Sequence, residues 1–191
     1  MILFLGQVAR DMVDREAFQE IDYRRMFGQM AKWVAQIDDA SRLQEYISRA
    51  FRTAMSGRPG PVVLALPEDM LYDQIAQPKP PARVEPPRYA PAPVTMDAMK
   101  ARLAKAKTPL IMAGGGGWTA KGIASLEKFA ATQGIPVSVS LRCQGLINND
   151  HPNYVGHYGV GTPPYLEALM ADTDLLIAIG PRLGEMTTKG Y

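Results

Sequence analysis

Four consecutive glycines at residues 114–117 are the pattern in this sequence that points most directly to binding chemistry. They follow an apolar run at 110–113, a predicted strand, and precede a predicted helix over 119–133. Backbone N–H groups in such a turn, together with the positive end of the helix dipole, can hold a phosphate group. A second interpretation stays open, in which the glycines only permit a tight strand-to-helix turn.

The residues around this turn narrow the class of ligand. Gly115, Gly117 and Ala120 match the G-x-G-x-x-A pattern of dinucleotide-binding folds, a pattern that is weak by itself. A fold that binds NAD also needs an acidic residue after its second strand, where this sequence has Arg142. The arginine argues against a nicotinamide-dependent dehydrogenase and suits another phosphate or an adenine nucleotide.

Other reactive side chains form no recognisable constellation. His151 and His157 have no cysteine or carboxylate at metal-ligand spacing, so we expect no metal site. The G-x-S-x-G pattern of a nucleophilic serine is absent, and Cys143 has no base arranged beside it in sequence. We therefore expect Cys143 to be a small buried side chain.

The composition is that of an ordinary globular protein. It has 47% hydrophobic residues and 21 Lys and Arg against 19 Asp and Glu. The basic residues form no run, which argues against nucleic-acid binding. The opening sequence MILFLG is far shorter than the about 20 apolar residues of a membrane span, and the single cysteine is compatible with a reducing compartment. These features predict a cytoplasmic protein without a membrane partner.

The first third of the chain predicts a small α/β unit. An apolar run at 2–5 predicts a strand, and helical spacing of apolar residues predicts a helix over 40–55. Between them, the mixed charged and aromatic sequence of residues 10–37 predicts short helices, with a stripe of apolar side chains packed in the core. The members of this stripe are Met26, Phe27, Met30 and Trp33. The segment SGRPGPVVLALPED at 56–69 then ends the helix, forms a rigid turn and starts a strand buried on both faces.

Prolines dominate residues 73–93, which predicts a stiff connector between two domains. A ligand for a proline-recognition module is the alternative. Beyond the connector, helices are predicted over 96–106, 119–133 and 164–171, and strands over 110–113, 137–141 and 174–179. Alternating helices and strands imply a parallel, doubly wound sheet. Three strands are few for such a sheet, and the strand at residue 2 has no preceding element, so we expect a fragment of a longer polypeptide.

Two segments, SGRPGPVVLALPED and A-F-Q-E at 17–20, resemble thiamine-diphosphate-dependent enzymes of the acetolactate synthase type. The resemblance covers nearly the whole chain. It implies that 1–72 is the C-terminal part of the pyrimidine-binding domain, 73–93 the linker, and 94–191 most of a Rossmann-like central domain, which we expect to be truncated. The fold class expected is α/β in both domains.

The resemblance also implies a set of site residues. Phe18 and Gln19 would lie beside the substrate channel. The residues that would contact FAD, or ADP or CoA in relatives of the family that hold these instead, are Arg58, Gly114, Gly115, Gly116, Ser140, Leu141, Arg142, Gly156, His157 and Arg182. Among these, Gly156 and His157 belong to the segment VGHYG, which matches a flavin-proximal loop.

This chain departs from the family pattern at several positions. Gly184, Glu185 and Met186 stand where the family has two aspartates and a second arginine, and Ala9 replaces a proline. Glu68 replaces the lysine that follows the strand in acetolactate synthases, which reverses the local charge. An anionic keto acid at that position would be repelled, so we expect a different substrate. Without the resemblance, Glu68 is more simply a solvent-facing acid, as is the residue after it.

The resemblance implies an enzyme that uses thiamine diphosphate and Mg²⁺ to decarboxylate or join 2-keto acids, assembled as a homodimer or homotetramer. The family's catalytic glutamate and its G-D-G…N metal-binding segment are not found in this sequence. We therefore expect the fragment to be inactive by itself. The alternative is a stand-alone, non-catalytic nucleotide-binding α/β module.

Overall fold

The computed structural model describes residues 1–76, 82–87 and 89–191. The chain divides into two compact units, Met1–Ala90 and Pro91–Tyr191. The division falls within the predicted connector 73–93, of which residues 77–81 and 88 lie outside the described residues. The domain identities that the resemblance implies stay predictions.

The first unit is built on a three-stranded parallel sheet. Its elements are β1 (Ile2–Gln7), α1 (Tyr23–Phe27), β2 (Trp33–Gln36), α2 (Leu43–Met55) and β3 (Val62–Pro67). The strand order is β1-β3-β2, so β3 is hydrogen-bonded on both edges. This confirms the strand predicted to be buried on both faces, since Val62 and Leu64 on one face and Val63 and Ala65 on the other are all at most 2% exposed.

Helix α2 covers one face of this sheet. Its small residues Ala50 and Ala54 pack against Val62 and Leu64, which allows the helix to approach the strands closely. The predicted helix over 40–55 is confirmed, with its first turn wound as a 3₁₀-helix, Ala40–Arg42.

The segment between β1 and α2 differs from the expectation of short helices alone. The predicted apolar stripe does not exist, because Met26 and Met30 are 54% and 65% exposed and Trp33 begins the strand β2. The strand forms because Trp33–Gln36 pairs with β3 over its whole length. A four-residue strand carries too little alternation for its sequence to show it.

The second unit alternates helices and strands. Its elements are α3 (Pro93–Leu103), β4 (Pro109–Ala113), α4 (Ala120–Gln133), β5 (Val137–Ser140), β6 (Tyr154–Tyr158), α5 (Pro164–Ala171), β7 (Leu175–Ile179) and α6 (Glu185–Thr188). All strand pairs are parallel, in the order β6-β5-β4-β7. This is the order of the first four strands of a Rossmann fold.

Helices pack on both faces of this sheet. On one face, Ile111 of β4 lies in a cluster with Leu126 and Ala130 of α4. On the other face, Met112 packs with Leu166 of α5. The predicted doubly wound α/β fold is therefore confirmed.

The sheet has four strands among the described residues, where three were predicted. The additional strand, β6, contains the first four residues of the segment VGHYG, which was expected to be a loop. It pairs with β5 from Val137 to Ser140, with a register irregularity between Val137 and Val139. Gly156, at a φ of +101°, interrupts the apolar alternation that would have identified the strand.

No helix within residues 1–76, 82–87 and 89–191 is long and apolar enough to cross a membrane.

Candidate functional site

The carboxyl ends of β4 and β7 form the candidate binding site of the second unit. β5 and β7 lie on opposite sides of β4: the chain that leaves β4 passes through α4 to β5 on one side, whereas β7 on the other side is reached from β6 through α5. Ligands of open α/β sheets bind in the crevice at such a switch point. The glycine turn at 114–117 follows β4, and Gly180 follows β7.

The two turns pack backbone against backbone. A Cβ atom on Gly115 would collide with the carbonyl oxygen of Gly180, and one on Gly114 would collide with Oγ of Ser140 and lie 3.0 Å from Cβ of Pro181. Gly115 and Gly180 also have φ angles of +70° and +80°, which L side chains rarely adopt. Glycine is thus required at these positions by the fold itself, whether or not a ligand binds.

Gly116 differs from its neighbours. An added Cβ would meet no atom within 4 Å, and its φ lies outside the left-handed region. The packing of the chain does not require glycine here, and the residue is exposed. A ligand that approaches the backbone closely at Gly116 would explain why this residue is a glycine.

The start of α4 completes the turn. The Nε1–H of Trp118 donates a hydrogen bond of 2.8 Å to the carbonyl of Gly114, and the hydroxyl of Thr119 accepts one of 3.1 Å from N–H of Gly122. Thr119 is therefore the N-cap of α4, which starts at the site with its positive dipole end.

Two arginines lie at the same edge of the sheet. Arg142 follows β5 and Arg182 follows β7, the two strands on either side of β4. Both are exposed, and neither forms an ion pair with a described residue. Leu141 is half-buried between Ser140 and Arg142. The structure thus places seven of the predicted contacts, from Gly114 to Arg182, at the ends of three adjacent strands, where an anionic ligand would meet two unpaired positive charges.

Cys143 is half-buried rather than fully buried, which corrects the expectation from sequence. Its thiol contacts the glycine turn, with Sγ 3.8 Å from the carbonyl oxygen of Gly115.

Gly156 and His157 lie further from the turn. They belong to β6, two strands from β4, which corresponds to about 10 Å at the usual strand spacing. The Gly156 carbonyl accepts a hydrogen bond of 3.2 Å from the hydroxyl of Ser138, and Nε2 of His157 lies 3.4 Å from the carbonyl of Val160. The structure does not bring these two residues to the glycine turn.

Trp118 and Gly180 are site residues that the sequence analysis did not identify. A glycine directly after the apolar run of β7 was a usable signal, because it parallels Gly114 after β4. The indole of Trp118 gives no such signal, since its contact with the turn depends on the side-chain direction at the start of α4.

The remaining predicted site residues lie in the first unit. Arg58 is exposed in the turn before β3. Phe18 is 89% exposed, and Gln19 is exposed with a φ of +68°. Neither of them lines the nearby cavity of about 380 Å³, whose wall includes Gln7 and Glu20. Their predicted contacts with flavin and substrate stay predictions.

Arg10 organises the carboxyl edge of the first sheet. It binds Asp69 at 2.7 Å and Asp73 at 2.8 Å, and donates to the carbonyl of Asp38 at 2.8 Å. The hydrogen bond from Arg10 holds the pKa of Asp69 below its usual range. Asp69 is therefore a paired acid, not the free solvent-facing acid that sequence alone suggested, whereas the neighbouring Glu68 is exposed.

No group of three or more histidine, cysteine or acidic side chains in the described part of the chain could hold a metal ion. The groups that the structure does bring to the edge of the second sheet are backbone N–H groups and two guanidinium groups, which are suited to binding anions.

Residues 96–191, about half of the chain, match the family described as thiamine pyrophosphate enzyme, central domain. The chain belongs to the thiamine pyrophosphate enzymes. It is 30% identical to the acetolactate synthase large subunit of Cyanidium caldarium, and 34% to a probable acetolactate synthase large subunit of Methanococcus aeolicus. It is also 33% identical to the glyoxylate carboligase of Escherichia coli O157:H7. Each alignment covers 98% of this chain and 32 to 33% of the relative, so the chain spans about a third of these thiamine pyrophosphate enzymes.

Proposed function

We propose that this chain is part of an enzyme that uses thiamine diphosphate and Mg²⁺ to decarboxylate or join 2-keto acids. The observation that carries the proposal is the match of residues 96–191 to the family model, which covers nearly all of the second unit. Similarity to both acetolactate synthases and a glyoxylate carboligase supports 2-keto acids as the substrate class.

The diphosphate and its metal do not fit the residues of this chain. Its described residues contain no cluster of ligands suited to a cation. In the full-length enzyme, thiamine diphosphate would supply the carbanion chemistry of the reaction. We infer that the groups which anchor it belong to the two thirds of the relatives' length that this chain does not match.

The crevice of the second unit does fit the phosphates of FAD or another adenine nucleotide. The N–H of Gly114 donates a hydrogen bond of 3.1 Å to the carbonyl of Ile179, so the N–H groups that can face a ligand are those of the exposed glycines after it, Gly115 and Gly116. Arg142 and Arg182 would neutralise phosphate oxygens from either side of β4. In this role the chain binds and orients the nucleotide, and no proton transfer is assigned to these residues.

The negative charge of Glu68 affects which substrates could bind near the end of β3. Glu68 follows the central strand β3, and its backbone N–H is fixed by a hydrogen bond of 3.0 Å to the carbonyl of Gln7. A carboxylate at this position disfavours a second anionic keto acid nearby. We therefore propose that the substrate pair differs from that of acetolactate synthases, whose lysine at this position has the opposite charge.

Two measurements test the enzymatic proposal. Thiamine diphosphate with Mg²⁺ should give no thermal shift with the 191-residue chain, whereas a protein of the relatives' full length should show a shift. That protein should consume 2-keto acids only when both are added. A clear shift with this chain alone would contradict the assignment of the anchoring groups, and turnover without thiamine diphosphate would contradict the function.

Assembly of the full enzyme as a homodimer or homotetramer is part of the proposal. Sedimentation of the full-length protein tests it, and a monomer that turns over substrate at full rate would overturn it.

A further inference from the structure

We propose that Glu20 is a positioning residue, which holds the loop of residues 13–20 in the conformation that presents Phe18 and Gln19. This inference rests on the proposed function only in the role assigned to Phe18 and Gln19. The restraint of the loop by Glu20 depends only on hydrogen bonds within the loop.

The loop has an unusual backbone. Three of its non-glycine residues, Asp14, Glu16 and Gln19, have φ angles of +63°, +55° and +68°. L-residues adopt this region with an energetic penalty, and a run of such residues persists only where other contacts enforce it. Strain of this kind therefore requires an identifiable restraint.

The side chain of Glu20 supplies that restraint. Its Oε1 accepts a hydrogen bond of 2.6 Å from the backbone N–H of Asp14, and its Oε2 accepts one of 3.1 Å from that of Ala17. The backbone N–H of Glu20 donates in turn to the carbonyl of Ala17 at 3.0 Å. One carboxylate thus bonds both arms of the loop, with two charge-assisted hydrogen bonds that are stronger than neutral ones.

The same hydrogen bonds favour the ionised carboxylate. They lower the pKa of Glu20, the bond from the N–H of Asp14 being the largest cause. Glu20 is therefore charged at neutral pH and accepts both bonds there.

The base of the loop is fixed to the sheet next to Glu20. The side-chain amide of Gln7, at the end of β1, donates a hydrogen bond of 2.8 Å to the carbonyl of Ile21. The hydroxyl of Tyr23 donates one of 2.9 Å to the carbonyl of Gly6. The tip that carries Phe18, 89% exposed, is consequently tied to β1 through Glu20.

This arrangement gives the backbone of Phe18 a defined position although no described side chain buries the ring. An exposed phenylalanine on an unrestrained loop would sample many orientations and would bind a substrate at an entropic cost. A loop fixed by Glu20 restricts the backbone positions from which the ring and the neighbouring amide of Gln19 can reach a substrate. Removing the carboxylate should therefore weaken substrate binding more than it slows the chemical step.

Three variants test the inference in the 191-residue chain. Glu20→Ala removes both acceptors, and Glu20→Gln retains one oxygen. Glu16→Gln is the matched control, because Glu16 lies in the same loop, is exposed, and accepts no hydrogen bond from a described residue.

Hydrogen exchange and proteolysis are the direct measurements. In Glu20→Ala, the amides of Asp14 and Ala17 should exchange about tenfold faster, the change expected for a lost hydrogen bond. Chymotrypsin should cleave after Phe18 faster by a similar factor, while amides of β3 keep their protection. Glu20→Gln should give an intermediate effect and Glu16→Gln none. Unchanged exchange and cleavage in Glu20→Ala would overturn the inference.

Kinetics of the full-length enzyme separate this inference from the proposed function. Glu20→Ala should raise KM for the 2-keto acid about tenfold while kcat stays within about twofold, as expected when binding alone is weakened. An unchanged KM would overturn the role in positioning. If the wild-type enzyme turned over no 2-keto acid, the proposed function would fail, and the exchange measurements would still decide whether Glu20 holds the loop.

Discussion

Replacing Gly115 by alanine tests the packing of the two turns at the switch point. The new Cβ would sit at a φ of +70° and collide with the backbone carbonyl of Gly180, which has no flexible side chain to move aside. A left-handed non-glycine residue costs about 1–2 kcal/mol, and overpacking adds about 1–3 kcal/mol. The lower entropy of the unfolded alanine chain returns about 0.4–1 kcal/mol. The net expectation is a loss of about 3 kcal/mol in the free energy of unfolding.

Urea unfolding measures this loss when the fluorescence reports on the second unit alone. Trp118 provides that signal in a Trp33→Phe background, because the other tryptophan lies in the first unit. The matched control is Gly116→Ala, whose Cβ meets open space and should change stability by no more than about 0.5 kcal/mol. If Gly115→Ala were as stable as Gly116→Ala, the close packing of the two turns would be refuted.

Three further substitutions test the restraints within each unit. Asp174→Asn should destabilise the second unit at pH 7. Asp174 accepts hydrogen bonds from two backbone N–H groups, which lower the pKa of its carboxyl group. The carboxylate therefore stabilises the fold fully at pH values above the unfolded-state pKa of 3.8, and this stabilisation is lost as the pH falls through the lower folded-state pKa. Urea curves at pH 7 and pH 3 measure it, with Asp172→Asn as control. Thr119→Ala should cost about 1 kcal/mol by removing the N-cap, again measured in urea. Leu64→Ala should cost about 2–5 kcal/mol, against a near-neutral change for the exposed Leu71→Ala, and calorimetry of the chain compares the two.

The parts of the fold that the sequence predicted are those with an uninterrupted signal. The strand β3 is entirely apolar and lies between two others, and the helix α4 is bounded by Thr119 and by Gly134, whose φ is +65°. The sequence therefore identified both elements, and the predicted helix over 119–133 differs from α4 by one residue at its start. In β3 and α4, the secondary structure that the local sequence favours is the same as the one that the tertiary fold requires.

The missed elements are those whose structure depends on a partner. Strand β2 has four residues and gains its conformation by pairing with β3, and β6 contains Gly156, which breaks the alternation of apolar residues. The left-handed residues of the loop before Glu20 are not glycines, so no composition rule predicts them. For the candidate site, the sequence located the glycine turn and the arginines. It did not predict the hydrogen bond from Trp118 to the Gly114 carbonyl, which depends on the direction of the indole side chain.

Titration of the 191-residue chain with ADP tests most directly whether the crevice between β4 and β7 binds a nucleotide. Isothermal titration calorimetry should show binding to the wild-type chain. Gly116→Ala should weaken it about tenfold, or about 1.4 kcal/mol, without a loss of stability. Gly145→Ala, at another exposed glycine with open space around it, should bind as the wild type does. Absence of ADP binding by the wild type, or equal affinity of Gly116→Ala, would contradict the assignment.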